Sequence, residues 1–278
     1  TDTSRVQYYR TVIRSASPDI FVCQEITGTT ANKVLFNQVF QSFAPGVYDT
    51  CTFIDGPDSD NLLFFKKSKA SFISQTIIGT ELRNIAEFKM YVPFIQDTVR
   101  FYSVHLKASS GATNEAQRGR EVDSLRRVTN ALPSGKFFMV MGDFNFYGAT
   151  ETAYTKLLAA GGNEGQFFDQ INGMTGNWSG VSGYSAYFTQ SPRVRSFGGG
   201  ATGGMDDRFD LIMPSKACTD TTTGKFYWVR AKYTAYGNDG NHLNDSINML
   251  PNTAVSAAVA DGIHYASDHI PVISYFAM

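Results

Sequence analysis

Residues 136–147 read KFFMVMGDFNFY. An apolar run from Phe137 to Met141 stops at Gly142 and then delivers Asp143 and Asn145, with Phe144 between them. A run of this length ended by glycine predicts a buried strand inside a sheet. The end of such a strand is where an α/β protein places its chemistry, because side chains there are rigidly held yet reach solvent. On extended backbone, residues i and i+2 point the same way, so Asp143 and Asn145 are candidates to converge on one ligand. The competing reading is an Asx turn that closes the strand.

Outward from this stretch, helical and strand patterns alternate. Residues 4–17 carry Val6, Tyr9, Val12 and Ile13 at helical spacing, with Ser4 a candidate N-cap and Pro18 a stop. DIFVCQ (19–24) reads as a buried strand with Glu25 at its end, and 31–43 as a second amphipathic helix. Strands are expected at 47–54, 61–66, 70–78, 82–92 and 98–106, separated by turn signals such as DGPDSD. Helical spacing returns at 114–132 and at 151–160, where Gly161-Gly162 stops it. Residues 161–204 and 236–264 read as long polar loops, and 208–213, 225–235 and 269–277 as strands. No repeat or linker interrupts the pattern, so a single α/β domain over 1–278 is expected.

Composition narrows the function classes. Hydrophobic content of 42% and aromatic content of 14% suffice for a large core and exclude disorder. No apolar run approaches the roughly 20 residues that span a bilayer. Net charge is −1, so no broad basic surface advertises nucleic acid. A polyanion would have to be held locally, by a metal or a few arginines. Cys23 lies in an apolar strand and reads as a core thiol, while Cys51 and Cys218 would pair only in an exported protein. A charged fraction of only 18%, with abundant Gly, Thr, Ser and Asn, leans towards secretion or export. No secretory signal is visible, although a mature or trimmed chain would have lost one.

Five strand ends carry polar residues for which an apolar strand has no structural use. They are Glu25, His105, the Asp143/Asn145 pair, Asp210, and Asp268-His269. Each alone has a bland reading as a solvated terminus, a strand histidine or a turn residue. Together, CQE (23–25), SVHLKAS (103–109), MGDFN (141–145), RFDLI (208–212) and SDH (267–269) resemble the endonuclease/exonuclease/phosphatase superfamily across nearly the whole chain. That superfamily includes pancreatic deoxyribonuclease, apurinic endonucleases, bacterial sphingomyelinases and inositol-phosphate phosphatases. The resemblance implies a four-layer α/β sandwich, with two facing mixed β-sheets flanked by helices and the site at one rim.

The implied activity is divalent-metal-dependent hydrolysis of phosphodiester bonds, most of all in nucleic acid, by a monomer. Glu25 and Asp268 are hard oxygen ligands suited to Mg²⁺ or Mn²⁺, and a structural Ca²⁺ is a further expectation. By resemblance, Asp143 and Asn145 hold and activate the attacking water and bind the phosphate. His105 and His269 donate to the phosphate, and Asp210 orients His269. Arg83, in LRNIAEF, stands where a phosphate-contacting arginine is often found, with an exposed strand arginine as the alternative; Asn61 is a weaker candidate. His242 and His264 match no motif and read as loop residues, while Phe146 and Tyr147 fit a loop core or a base stack.

Three other readings stay open. One is a phospholipid head-group phosphodiesterase of the sphingomyelinase type, whose bilayer contact would be TGNWSGVSGYSAYF (175–188), with Trp178, Tyr184, Tyr187 and Phe188. Another is a phosphomonoesterase. The third is a non-catalytic binding module, against which the intact polar set argues. One departure matters: family members begin with a strand whose end carries an asparagine near the metal, whereas here a helix begins almost at residue 4. Truncation is the expectation drawn from it, with an unfilled strand position beside residues 20–24 and a metal site with fewer contacts.

Overall fold

In the computed structural model, which describes residues 3–222 and 225–278, the apolar run becomes strand β7 (Phe137–Asp143). It lies inside a five-stranded sheet of order β4 (Ser71–Ile78), β5 (Ile85–Val92), β6 (Asp97–His105), β7 and β8 (Asp210–Pro214). β6 and β7 run parallel, and the other neighbours are antiparallel. A second, antiparallel sheet has the order β1 (Ile20–Ile26), β3 (Asp60–Lys66), β2 (Tyr48–Thr50).

Strand periodicity explains how the sheets stack. In β3, Leu63 and Phe65 join Met139 and Met141 of β7 and Phe101 of β6 in the layer between the sheets. Leu62 and Phe64, on the opposite face, pack with the helical layer formed by α1 (Val6–Ala16) and α2 (Thr29–Val34). α2 continues through a π-helical stretch, Leu35–Phe40, into α3 (Gln41–Phe43). Beyond the larger sheet, Phe138 and Val140 of β7 pack with α4 (Ala112–Asn130) and α5 (Thr152–Leu158). The result is four layers, helix–sheet–sheet–helix. Each fully buried large apolar side chain contributes about 1.5–3 kcal/mol, so a chain buried on both faces of β3 and β7 places its stability directly beneath the strand ends.

Several local expectations change. The strand expected at 225–235 is two bridges, β9 (Tyr227–Trp228) and β10 (Thr234–Ala235), separated by a 3₁₀ turn at Arg230–Lys232. They pair with β12 (Phe276–Ala277) and β11 (Val272–Ile273), so the strand expected at 269–277 is broken as well. The strand expected at 47–54 shrinks to β2. The polar loop expected at 236–264 contains instead the start of α6 (Ala257–Ala266), whose Ser256 hydroxyl caps the Val259 N–H. Its buried residues Val259, Ala260, Ile263 and Ala266 follow helical spacing, but alanines and Gly262 dilute the hydrophobic signal. Gly262 lets α1 come close: a Cβ there would meet Thr11 and Val12 at 3.2–3.3 Å.

The bilayer contact that the phospholipid alternative would need at 175–188 loses two of its four aromatics to the core. Trp178 and Phe188 are fully buried, and the Trp178 indole N–H donates to the Phe146 carbonyl at 2.9 Å. All three cysteines are free thiols. Among the described residues no helix is long and apolar enough to cross a membrane. β1 pairs with β3 along one edge, and among the described residues no strand pairs with its other edge. That edge lines a cavity of about 820 Å³, together with residues of α1, β7, the end of α6 and the segment 270–276.

Candidate active site

Backbone register assembles the centre of the site. His105 is the parallel partner of Asp143 across β6–β7, and Asp143 is the antiparallel partner of Asp210 across β7–β8. Residues directly opposite one another share a face of the sheet, so the three side chains stand in one row at the rim. His269 closes the row: its Nδ1 lies 2.7 Å from Asp210 Oδ2 and its Nε2 3.9 Å from Asp143 Oδ2. His105 Nε2 is 3.4 Å from the same Asp143 oxygen. Six of the eight residues singled out in the sequence, Glu25, His105, Asp143, Asp210, Asp268 and His269, line the one cavity.

Local backbone explains how each arrives there. Gly142 has φ +133°, and a Cβ at this position would stand 2.1 Å from the Val104 carbonyl oxygen, so only glycine lets β6 and β7 close up before Asp143. Asn145 is not on extended backbone. It sits at φ +53°, and its N–H donates to Asp143 Oδ1 at 2.9 Å, so the Asx turn is the arrangement found. The Asn145 side-chain amide donates to the Leu106 carbonyl at 3.3 Å, tying the turn to the end of β6 rather than aligning with Asp143 through the pleat. Glu25 sits at a β-bulge where β1 gains one residue over β3, with φ +60°. The bulge re-aims the carboxylate out of the strand's alternation.

Buried polar contacts hold the frame. Across the two sheets, the Gln24 amide donates to Ser103 Oγ and Ser103 to Asn61 Oδ1, each at 2.8 Å. Asn61 therefore supports the frame from beneath the row. Arg118, fully buried, donates to Glu151 at 2.9 Å and to the carbonyls of Lys107 and Ser109, while Glu151 accepts from the Tyr147 N–H. The loops that follow β6 and β7 are thus pinned to each other. Arg83 forms a 2.8 Å ion pair with Asp58, and its Nη1 is buried without a hydrogen-bond partner.

Electrostatics separate the titratable groups. Burial raises the Asp143 carboxyl to about 7, with the neighbouring His269 charge opposing and Asp210 reinforcing the shift. Burial works against the charged form of His269, but the Asp210 carboxylate and its hydrogen bond overcome it and push the imidazole up to about 10. Burial, then the charges of Arg83 and His269, bring His105 down to about 3, so this ring is neutral. Crowding by protein, followed by the Asp268 charge, raises the Glu25 carboxyl. Asp268 Oδ2 accepts the Ala201 N–H at 2.6 Å from a glycine-rich loop, in which a Cβ on Gly200 would stand 2.6 Å from the Asp268 carboxyl carbon.

Two contributors escaped sequence reasoning, Thr189 and Gln190. The Thr189 hydroxyl accepts the N–H groups of Phe209 and Asp210, both at 3.1 Å, and the Gln190 amide lies 2.5 Å from His269 Nε2. Nothing in FTQSP distinguishes them locally, because Thr189 reaches the row through hydrogen bonds to distant residues and Gln190 through two isolated bridges. Outside the cavity lining stand His242, buried 3.3 Å from Asp239, and His264, which lies on α6 with Nδ1 3.0 Å from the Pro192 carbonyl. Phe146 is fully buried, and Tyr147 packs edge-on against Phe209.

No family model and no curated protein matches the sequence. Solved structures do. TDP2 of D. rerio, complexed with single strand DNA product, aligns with a TM-score of 0.64 at 16% identity over 100% of this chain and 94% of that one. The human Nocturnin catalytic domain with bound sulfate aligns at 0.58 and 17% identity over 100% and 87%. The mannosyl-6-phosphatase of Bacteroides thetaiotaomicron aligns at 0.57 and 14% over 99% and 91%. These proteins are members of the endonuclease/exonuclease/phosphatase superfamily, and the chain has the fold of that superfamily. At such identities the likeness is one of fold.

Proposed function

We propose that this chain is a divalent-metal-assisted phosphoester hydrolase that cleaves phosphodiesters, with nucleic acid as the first candidate substrate. The observation that carries the reading is the row His105–Asp143–Asp210–His269, in which the surroundings of Asp143, His269 and His105 drive their charge states apart. Ester hydrolysis needs a base for the incoming water and positive hydrogen-bond donors for the charge that grows on the phosphoryl oxygens. Asp143, with its carboxyl near 7, takes the proton from the water. The His269 imidazolium, backed by Asp210, donates from Nε2 to a phosphoryl oxygen, and neutral His105 keeps Asp143 oriented. Arg83 adds a donor at the edge of the site through its unpartnered Nη1.

Glu25 and Asp268 would hold Mg²⁺ or Mn²⁺. Their donor chemistry fits: both are oxygen ligands lining one cavity, and the Asp268 charge raises the Glu25 carboxyl, a repulsion that a cation relieves. Among the described residues no group of three or more acidic, histidine or cysteine side chains forms a ready cage. Two carboxylates completed by water suit Mg²⁺ better than a metal that demands a full protein shell. When bound, the ion neutralises phosphoryl charge and lowers the pKa of attached water.

The nucleic-acid preference draws on the DNA product in the D. rerio TDP2 structure. The mannosyl-6-phosphatase neighbour keeps a phosphomonoesterase as the second reading. The bilayer variant loses its support with the burial of Trp178 and Phe188. The test is hydrolysis of plasmid DNA, bis-p-nitrophenyl phosphate and p-nitrophenyl phosphate, with Mg²⁺, Mn²⁺ or EDTA, by wild type, Asp143→Ala and His269→Ala. Metal-dependent nicking lost in both variants is the expected result. Cleavage of the monoester alone moves the substrate to phosphomonoesters, and inactivity on all three overturns the reading.

A further inference from the structure

Residues 189 and 190 stitch together the two segments that bring Asp210 and His269 to the row. The Thr189 carbonyl accepts the Ile270 N–H at 2.8 Å, beside the two N–H groups held by its hydroxyl. Gln190 forms antiparallel bridges with Asp207 on one flank and His269 on the other. Its backbone N–H donates to the Asp207 carbonyl, and its own carbonyl accepts from Asp206 and Asp207. Partners in an antiparallel bridge present their side chains on the same face, with Cβ atoms about 4.5–5.5 Å apart. Asp207, Gln190 and His269 therefore form a second row, crossing the first at the histidine.

Within that row the Gln190 amide can serve either flank. Its Nε2 is placed against His269 Nε2, the one ring nitrogen that Asp210 leaves available, and opposite a protonated ring the amide turns over so that Oε1 accepts. On the other side, Asp207 Oδ1 is buried and has no hydrogen-bond partner, while the Ser179 hydroxyl attends the same carboxylate. A carboxamide offers both a donor and an acceptor, so it fits Nε2 in either protonation state and fits a carboxylate through its NH₂. A buried acceptor with no partner is costly to maintain, and the side chain that can relieve it stands next to it.

We propose that Gln190 is a positioning residue with two seats. Without substrate its amide caps His269 Nε2 and keeps the ring aimed. When a phosphoryl oxygen arrives, the amide swings to Asp207 Oδ1, surrenders Nε2 to the ester and satisfies the vacant acceptor. The inference rests on the hydrolase reading and adds a residue pair, Gln190 and Asp207, that sets how easily phosphate enters.

The two seats make opposite predictions for the two residues. Gln190→Ala removes the cap, so KM for bis-p-nitrophenyl phosphate and the inhibition constant of inorganic phosphate both fall, by about fivefold for one modest hydrogen bond. Asp207→Ala removes the open seat and raises both by a similar factor. In each, kcat stays within about twofold, the range of a change confined to uniform binding. The double variant matches Gln190→Ala, because Asp207 acts only through the glutamine. Gln190→Met, which keeps the length and packing without the polar head, must reproduce Gln190→Ala and so separates capping from misfolding. A lower kcat at unchanged KM, or an Asp207 effect that persists without the glutamine, overturns the proposal. Phosphate affinity is also measured directly by calorimetry on all four variants and wild type. The same pattern there without any ester hydrolysis sinks the hydrolase reading alone, whereas normal hydrolysis without the pattern sinks the two-seat proposal alone.

Discussion

Asp210 Oδ2 and His269 Nδ1 stand 2.7 Å apart although 59 residues separate them in the chain. The contact charges the ring and fixes which nitrogen faces the cavity. Asp210→Asn keeps the shape and removes the charge. The expected outcome is a loss of at least about a hundredfold in kcat with KM little changed, read in steady-state assays on bis-p-nitrophenyl phosphate. Unchanged kcat would show that the histidine does not work as an imidazolium.

The pH profile follows from the same pair. Asp143 must be ionised to accept a proton and His269 protonated to donate, so activity rises through about 7 and falls through about 10. For stability the sign is also determined. The His269 pKa is raised above its unfolded value, so its contribution is fully present below about 6.5 and is lost as pH climbs towards 10. Metal-free protein should therefore melt at progressively lower temperature across that interval, and Asp210→Asn should flatten the dependence. Calorimetric scans at several pH values check both.

Gly142→Ala places a methyl group 2.1 Å from the Val104 carbonyl oxygen on backbone at φ +133°. Strain of this kind costs at least about 1–3 kcal/mol. The variant should unfold at lower denaturant concentration and lose activity together, because Asp143 is the next residue. Wild-type stability would mean that β6 and β7 separate freely at the rim.

Arg118 and Glu151 form a buried pair at 2.8 Å that joins the loops after β6 and β7. Glu151→Gln leaves the fully buried guanidinium without its counter-charge, an effect of about 3–5 kcal/mol. Arg118→Met with Glu151→Leu should recover much of the stability but not the activity, since the loop carbonyls and the Tyr147 N–H lose their partners. Denaturant melts and kcat on the same preparations separate the two effects.

Mg²⁺ should raise the melting temperature of wild type, by the equivalent of about 2.7 kcal/mol at a hundredfold excess over its dissociation constant. Glu25→Gln and Asp268→Asn should each abolish most of that shift. A shift that survives both substitutions would place the metal elsewhere.

The bridge from MGDFN to SDH was legible in order and residue type, and the strands that carry Asp143, His105 and Asp210 lie close to where apolar runs place them. The helix α6 was not legible, because alanine and glycine bury little area and so leave a weak periodic signal, although they allow the close approach to α1. Trp178 stayed available as a bilayer contact for the phospholipid alternative for a related reason: a loop rich in Gly and Ser carries no period that reveals which of its aromatics turn inward. Asn145 leaves the strand by a left-handed turn, stabilised by the Asp143 carboxylate accepting its N–H, and its side chain goes to the Leu106 carbonyl rather than into the cavity.

By itself, the sequence determined that His105 and Asp143 end apolar strands, because an apolar run marks the buried strand and its first polar residue marks the rim. It also determined the chemistry on offer, two imidazoles among carboxylates. The tertiary structure alone decided which groups meet. Register places His105, Asp143 and Asp210 in one row, a bulge turns Glu25 outward, and long-range bridges set Gln190 between His269 and Asp207. The physical reason is that pairing across strands depends on free energy summed over the whole sheet, whereas local pattern senses only the residue's own strand.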